Sequence, residues 1–228
     1  MLILKIFLLA LLFCECQANR RRRLKRVGTR PDPPLDPFVN SSSLYISYTT
    51  FLRGFINTQG LFNRTAPIPS NLTYASFMNS AVDVGYISDK NELSAFMAHA
   101  LVASKGLTQT KENNTSIVDE LTRTYFRRGY LGIKGMEEYK EASADLFQDQ
   151  RLLEAPEIVL QHERINWKVS FWKWNQAKPM YSGESALQIF PNVTRDLLGR
   201  KRCDVVYKVY MILKKEWAPK DKPYRLIK

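Results

Sequence analysis

The chain has 228 residues, 45% of them hydrophobic and 12% aromatic, which is enough for one well-filled domain and too short for two. Its 34 Lys and Arg against 22 Asp and Glu leave a net charge of +12, a balance that suits anionic partners. With three cysteines and two histidines, and no C-x-x-C or H-E-x-x-H, neither a disulfide framework nor a metal centre is expected.

The opening stretch, MLILK-IFLLALLF-CECQA, has a short basic start, an apolar run and a small residue at Ala18. It reads as a signal peptide over residues 1–18, cleaved before Asn19, and places the protein outside the cell. The run is too short for a membrane span. Cys14 and Cys16 leave with the peptide, so Cys203 stands alone and reads as a small buried hydrophobe rather than a nucleophile. Residues 19–43 form a basic, proline-rich arm with Arg20–Arg23, Lys25, Arg26, Arg30 and the run PDPPLDP, and they read as disordered. Such an arm reads equally as a processing site for a dibasic-cleaving protease, a polyanion-binding arm or a solvated tail; behind a signal peptide the partners it fits are acidic glycans or a phospholipid surface, and nucleic acid is not an expected partner. Sequons begin at Asn40, Asn63, Asn71, Asn113, Asn114 and Asn192, the mark of a glycosylated surface.

Tyr48, Phe51, Leu52, Phe55 and Ile56 have helical spacing, and Gly60, Pro67 and Pro69 end that element. Tyr74, Phe77, Met78 and Ala81 give a second, short helix. Leu93, Phe96, Met97, Ala100 and Leu101 mark one stripe of a third, from about Asn91 to Ser104. Asp89 with Glu92 forms its capping box and Gly106 its stop. Ala103 then lies at the stripe's edge in the last turn, facing a neighbouring cleft, and Glu112 follows in a polar loop. YFRRGYLGIKGMEEY (125–139) combines glycines, arginines and aromatics in an extended segment. Ile165, Val169 and Trp172 line one face of a further helix, with Trp167, Phe171 and Trp174 around its side. Arg202, Val206, Tyr207, Val209, Tyr210 and Leu213 read as a closing helix, and residues 218–228 as a basic tail. His99 and His162 lie far apart, and no P-loop, G-x-S-x-G or G-x-G-x-x-G occurs, so no cofactor is expected.

Three of these stretches carry a resemblance. FMAHALVASKGLTQTKENN resembles F-x-A-H-x-x-H-E-T-G-G-L-x-x-x-K-E-x-N of the plant-type chitinases, glycoside hydrolase family 19. The 125–139 segment resembles Y-[YF]-G-R-G-P-I-Q-L-[ST]-x-N-x-N-Y, with Tyr125, Phe126, Arg128, Gly129 and Tyr139 matching. LLEAPEIVLQHERINWKVSFWKW is similar, without a gap, to L-L-x-N-P-D-L-V-x-x-D-P-x-x-x-x-K-x-A-L-W-F-W through Pro156, Glu157, Lys168, Trp172 and Trp174.

The resemblance implies a mainly α, lysozyme-like two-lobed fold over residues 44–217, a monomer, and chitin or a related N-acetylglucosamine polymer as partner. It implies sugar contacts at Tyr125, Arg128, Lys134, Glu138, Tyr139, Lys168 and Trp172. It places the general base at Glu112 and the general acid at Ala103, which has no proton to give. Gly132 stands where the family has a sugar-binding Gln, Lys134 where a Ser or Thr holds the attacking water, and Glu138 where an Asn binds sugar. The family's I-N-G-G turn has no counterpart beyond Pro191-Asn192. The expectation is therefore a secreted chitinase-like protein with weak or absent hydrolysis. The alternatives are an active enzyme drawing its proton from Asp119 or Glu120, and a basic extracellular scaffold that binds no sugar.

Overall fold

The computed structural model describes residues 43–62, 65–87, 89–112, 120–177 and 202–218, together with Leu35, Val39 and Leu198. The signal peptide, the Arg-rich stretch, Asn40, Asn63, Asn113, Asn114, Asn192, Asp119, Pro191 and residues 219–228 lie outside the described residues. Among the described residues no helix is long and apolar enough to cross a membrane.

The architecture is helical throughout the described residues, with two isolated bridges, Lys111 to Arg128 and Arg128 to Ile133, as its only β pairings. Helix α1 (Tyr48–Thr58) is capped by Ser47, whose Oγ accepts from Thr50 N at 3.2 Å, and runs on into a 3₁₀ turn over Gln59–Leu61. It buries Tyr48, Phe51, Leu52, Phe55 and Ile56, the residues whose spacing announces it. Helix α2 (Asn71–Asp83) is capped by Ser70, leaving Asn71 exposed in the first turn and Tyr74, Phe77, Met78 and Ala81 buried.

Helix α3 (Lys90–Ala103) starts at Asp89, whose carboxylate accepts from Asn91 N (2.7 Å) and Glu92 N (2.9 Å). The capping box is reciprocated differently from the expectation: Glu92 Oε1 accepts from the Trp174 indole at 3.2 Å. Every residue from Leu93 to Ala103 is buried, so the single stripe read from the sequence is a helix enclosed on all sides.

A short helix, α4 (Glu120–Thr124), precedes the longer α5 (Met136–Phe147), and two more, α6 (Arg151–Glu154) and α7 (Ile158–Gln161), connect α5 to α8 (Glu163–Ala177). The chain closes with α9 (Cys203–Trp217), which packs on α1 and α3, burying Val206, Val209, Tyr210, Leu213 and Trp217. Contact with α1 is close because Gly54 has no side chain: a Cβ there would stand 2.6 Å from Trp217 Nε1. Tyr207, read as part of the buried face, is 41% exposed. Cys203 is half-buried rather than buried, because it starts the helix instead of lying within it.

Helix α8 divides the interior. Trp167, Phe171 and Trp174 enter the larger apolar cluster with α1, α2, α3 and α9, while Val169 and Trp172 enter a smaller one with Ile133, Tyr139, Ala142, Leu152 and Val159. A helix serving two cores must be apolar around most of its circumference, which is why its sequence shows two faces at once. In the larger cluster Phe77 meets Phe51, Phe96, Trp167, Phe171 and Trp217, and Phe96 stacks on Phe171 at 3.8 Å between centroids. Such pairs each add about 0.5–1.5 kcal/mol beyond the area they bury. Val39 is fully buried in this cluster and Leu35 packs against it, so the packed domain reaches into the arm expected to be disordered.

Candidate functional site

The site is assembled where the loop after α3 meets the 125–135 segment and the two helices α5 and α8. At the end of α3 the chain turns sharply. Ser104 Oγ donates back to Ala100 O at 2.5 Å and accepts from Leu107 N at 3.0 Å, and Gly106 N reaches Leu101 O at 2.7 Å. Lys105, Gly106 and Leu107 all have left-handed backbones, with φ of 50°, 79° and 63°. Only the glycine adopts this without steric cost. Helix α3 therefore stops at Ala103, one residue short of the Ser104 read from the sequence, with Gly106 in the turn beyond it.

The chain then lies along the 127–129 backbone. Gly129 N donates to Thr110 O (2.8 Å) and Glu112 N to Arg127 O (3.0 Å). The 125–135 segment folds into a tight hairpin in which Arg128 and Ile133 exchange both backbone bonds, at 3.1 and 2.9 Å. Gly129 (φ 103°) and Gly132 (φ 75°) allow the bend.

This arrangement brings Glu112 to Lys134. The Lys134 ammonium lies 3.1 Å from Oε2 and 3.4 Å from Oε1, so the carboxylate assigned as base is held by the residue at the water-holding position. Beyond it Lys134 N donates to Glu138 Oε2 (2.9 Å), and Glu138 Oε1 accepts from Lys173 Nζ of α8 (2.5 Å). Glu112, Lys134, Glu138 and Lys173 thus form one strip of alternating charge. Lys173 carries no mark in the sequence beyond a helical lysine, and only the packing of α8 on α5 brings it here.

Several expected sugar contacts are used by the fold instead. Arg128 is 1% exposed; its Nη1 donates to Thr124 O (2.9 Å), Phe126 O (3.3 Å) and Tyr139 Oη (2.9 Å), and its Nη2 pairs with Glu157. The guanidinium carbon sits 3.5 Å above the Phe126 ring. It is a brace, not a surface donor. Tyr139 is fully buried, donates to Phe126 O at 2.9 Å, and has its hydroxyl pushed up to about 12 by burial, against the opposing pull of Arg128. Trp172 is 5% exposed, in the smaller core, with its indole donating to Asp145 Oδ2 at 2.8 Å. Tyr125 is half-buried and donates to Leu153 O at 3.2 Å; Lys168 is half-buried and has no ion pair among the described residues.

Ala103 is 7% exposed, and its methyl packs against the larger core. Glu120 is exposed at the start of α4. His99 is fully buried, its Nδ1 donating to Ala95 O at 2.7 Å, and burial lowers it to about 4, so it is neutral. Among the described residues no group of three or more His, Cys, Asp or Glu is placed to hold a metal.

Gly132 has a reason of its own. A Cβ there would come within 2.5 Å of Arg127 Nε and 2.6 Å of Arg127 Cγ. Arg127, which stands where the resembling pattern has glycine, fills the space in which a residue-132 side chain would begin. Its Nη2 donates to Tyr130 O (3.1 Å) and Leu131 O (3.0 Å).

No protein-family model and no curated protein matches the chain. Solved structures do. Chitinase C from Streptomyces griseus HUT6037 superposes with a TM-score of 0.55 at 17% identity, covering 78% of this chain and 94% of that one. A mutant of chitinase C gives 0.55 at 18% identity, with 78% and 94% covered. A family GH19, class IV chitinase from Zea mays gives 0.51 at 18% identity, with 74% and 90% covered. At this identity the likeness is one of fold: the chain has the mainly α, lysozyme-like fold of the family 19 chitinases.

Proposed function

We propose that this chain is a secreted, chitinase-like binding protein for chitin or a related N-acetylglucosamine polymer, and that it does not hydrolyse what it binds. An inverting glycosidase needs a protonated carboxyl on one side of the scissile bond and a free carboxylate ~6.5–9.5 Å away on the other. The observation that carries the proposal is the state of both positions. Ala103 is a buried methyl, and Glu112 is ion-paired to Lys134. Losing a general acid costs about 10²–10⁴ in rate. The ammonium beside Glu112 adds to this, because an attacking water would have to compete with Lys134 for the carboxylate. Ground-state binding does not require either group, so recognition is separable from catalysis.

The test is a pair of measurements on the full chain, retention on chitin beads and release of reducing ends from N-acetylglucosamine hexamers. Retention without release is the expected result. Ala103→Glu combined with Lys134→Ser is expected to gain measurable release; turnover by the unmodified chain contradicts the proposal. A scaffold role without sugar binding is favoured by one observation, the burial of Arg128, Tyr139 and Trp172, and failure of chitin retention selects it.

A further inference from the structure

The strip beside Glu112 is built for charge. Arg127 is half-buried, and its Nη2 is committed to two backbone carbonyls. A guanidinium carries five N–H donors, and Nη1 has no acceptor among the described residues. It is not sealed from solvent, so it is open to an incoming anionic acceptor. Its seat is made by the chain itself, since the glycine at 132 leaves room for the arginine that any side chain there would displace. Burial lowers Arg127 while Glu112 opposes the shift and Arg202 adds repulsion, so a further cation stands nearby. Among the described residues Lys134 pairs with Glu112 and Lys173 with Glu138, and Arg127 is drawn to Glu112 as well, so three positive charges share two carboxylates. The Lys134–Glu112 pair is substantially exposed, at 54% and 34%, and pairs of this kind are weak, so an incoming anion can replace Glu112 on the ammonium.

We propose that this strip takes an acidic glycan, a polymer whose N-acetylhexosamine units alternate with units bearing carboxylate or sulfate, and that Arg127 selects the charged unit. This rests on the sugar-binding reading above and narrows its ligand.

The experiment titrates the full chain by calorimetry with a chitin hexamer, a hyaluronan octasaccharide as carboxylate probe and a chondroitin sulfate hexasaccharide as sulfate probe. Titrations are run at low and physiological salt. At least one acidic probe is expected to bind about tenfold more tightly than the chitin hexamer at low salt, the worth of one charge-assisted hydrogen bond, with the advantage shrinking as salt rises. Whichever acidic probe binds better identifies the anion. Arg127→Gln is expected to abolish the preference for the acidic probe over the chitin hexamer, and Arg127→Lys to keep part of it. Should Arg127→Gln fail to fold, Lys134→Gln is expected to weaken the same preference. Equal or tighter binding of the neutral hexamer overturns this proposal alone. So does an acidic preference that survives Arg127→Gln intact, since it then comes from elsewhere in the chain. Binding of none of the three overturns the sugar-binding reading as well.

Discussion

Arg127 and Gly132 are coupled through space, and a double-mutant cycle measures by how much. Gly132→Gln places a side chain on a backbone with φ of 75°, at about 1–2 kcal/mol, and drives its Cβ to within 2.5 Å of Arg127 Nε. The arginine escapes only by giving up its bonds to Tyr130 O and Leu131 O, which bounds the collision at roughly 1–3 kcal/mol. Arg127→Ala alone loses those bonds. In the double variant the backbone strain and the lost bonds both persist, so both cancel from the coupling term and the collision remains. Urea unfolding of the four proteins is therefore expected to show the double variant about 1–3 kcal/mol more stable than the sum of the singles predicts. Additivity within about 0.5 kcal/mol refutes the claim that the arginine fills the seat of a residue-132 side chain.

Lys105→Gly removes a non-glycine residue from a left-handed position and is expected to raise stability by about 0.5–1 kcal/mol, after the entropy that glycine adds to the unfolded chain; a lower urea midpoint contradicts it. His99 is held near 4 against 6.5 in the unfolded chain, so the unfolded state binds the extra proton between those values. Stability from this group is complete above pH 6.5 and is lost as pH falls towards 4, about 3 kcal/mol in all. Denaturation at pH 7 and pH 4 should show His99→Leu losing less than the parent by about that amount; equal losses in both proteins contradict it. Arg128→Met leaves two carbonyls, the Tyr139 hydroxyl and Glu157 without their donor and is expected to cost about 3–5 kcal/mol. Chemical denaturation measures it, and a loss under about 1 kcal/mol removes Arg128 from the role of brace.

What the sequence made legible is what depends on short-range pattern. The buried residues of α1, α2 and α8 follow from apolar spacing, and the start of α3 from Asp89. The end of α3 followed to within a residue, from Gly106; the left-handed Lys105 and Leu107 on either side of that glycine carry no such mark. Arg128 was read as a cleft residue since an arginine among aromatics suits either a sugar or a brace. The acceptors that decide between them come from Thr124, Phe126, Tyr139 and Glu157, and no local pattern links them. Gly132 read as a lost sugar contact, while in the fold it is the space Arg127 requires. Ala103 was read as standing where the resembling pattern has its acid; that Lys134 pairs with Glu112 needed the hairpin at 128–133 to swing residue 134 across to residue 112.

The most direct measurement is the rate at which the purified, unmodified chain releases reducing ends from N-acetylglucosamine hexamers, beside the same assay on Ala103→Glu/Lys134→Ser. A buried methyl and a lysine-bound carboxylate predict no release above the uncatalysed background from the first and detectable release from the second. Turnover by the unmodified chain at the rate of an ordinary glycosidase, about 1 per second or faster, contradicts the account.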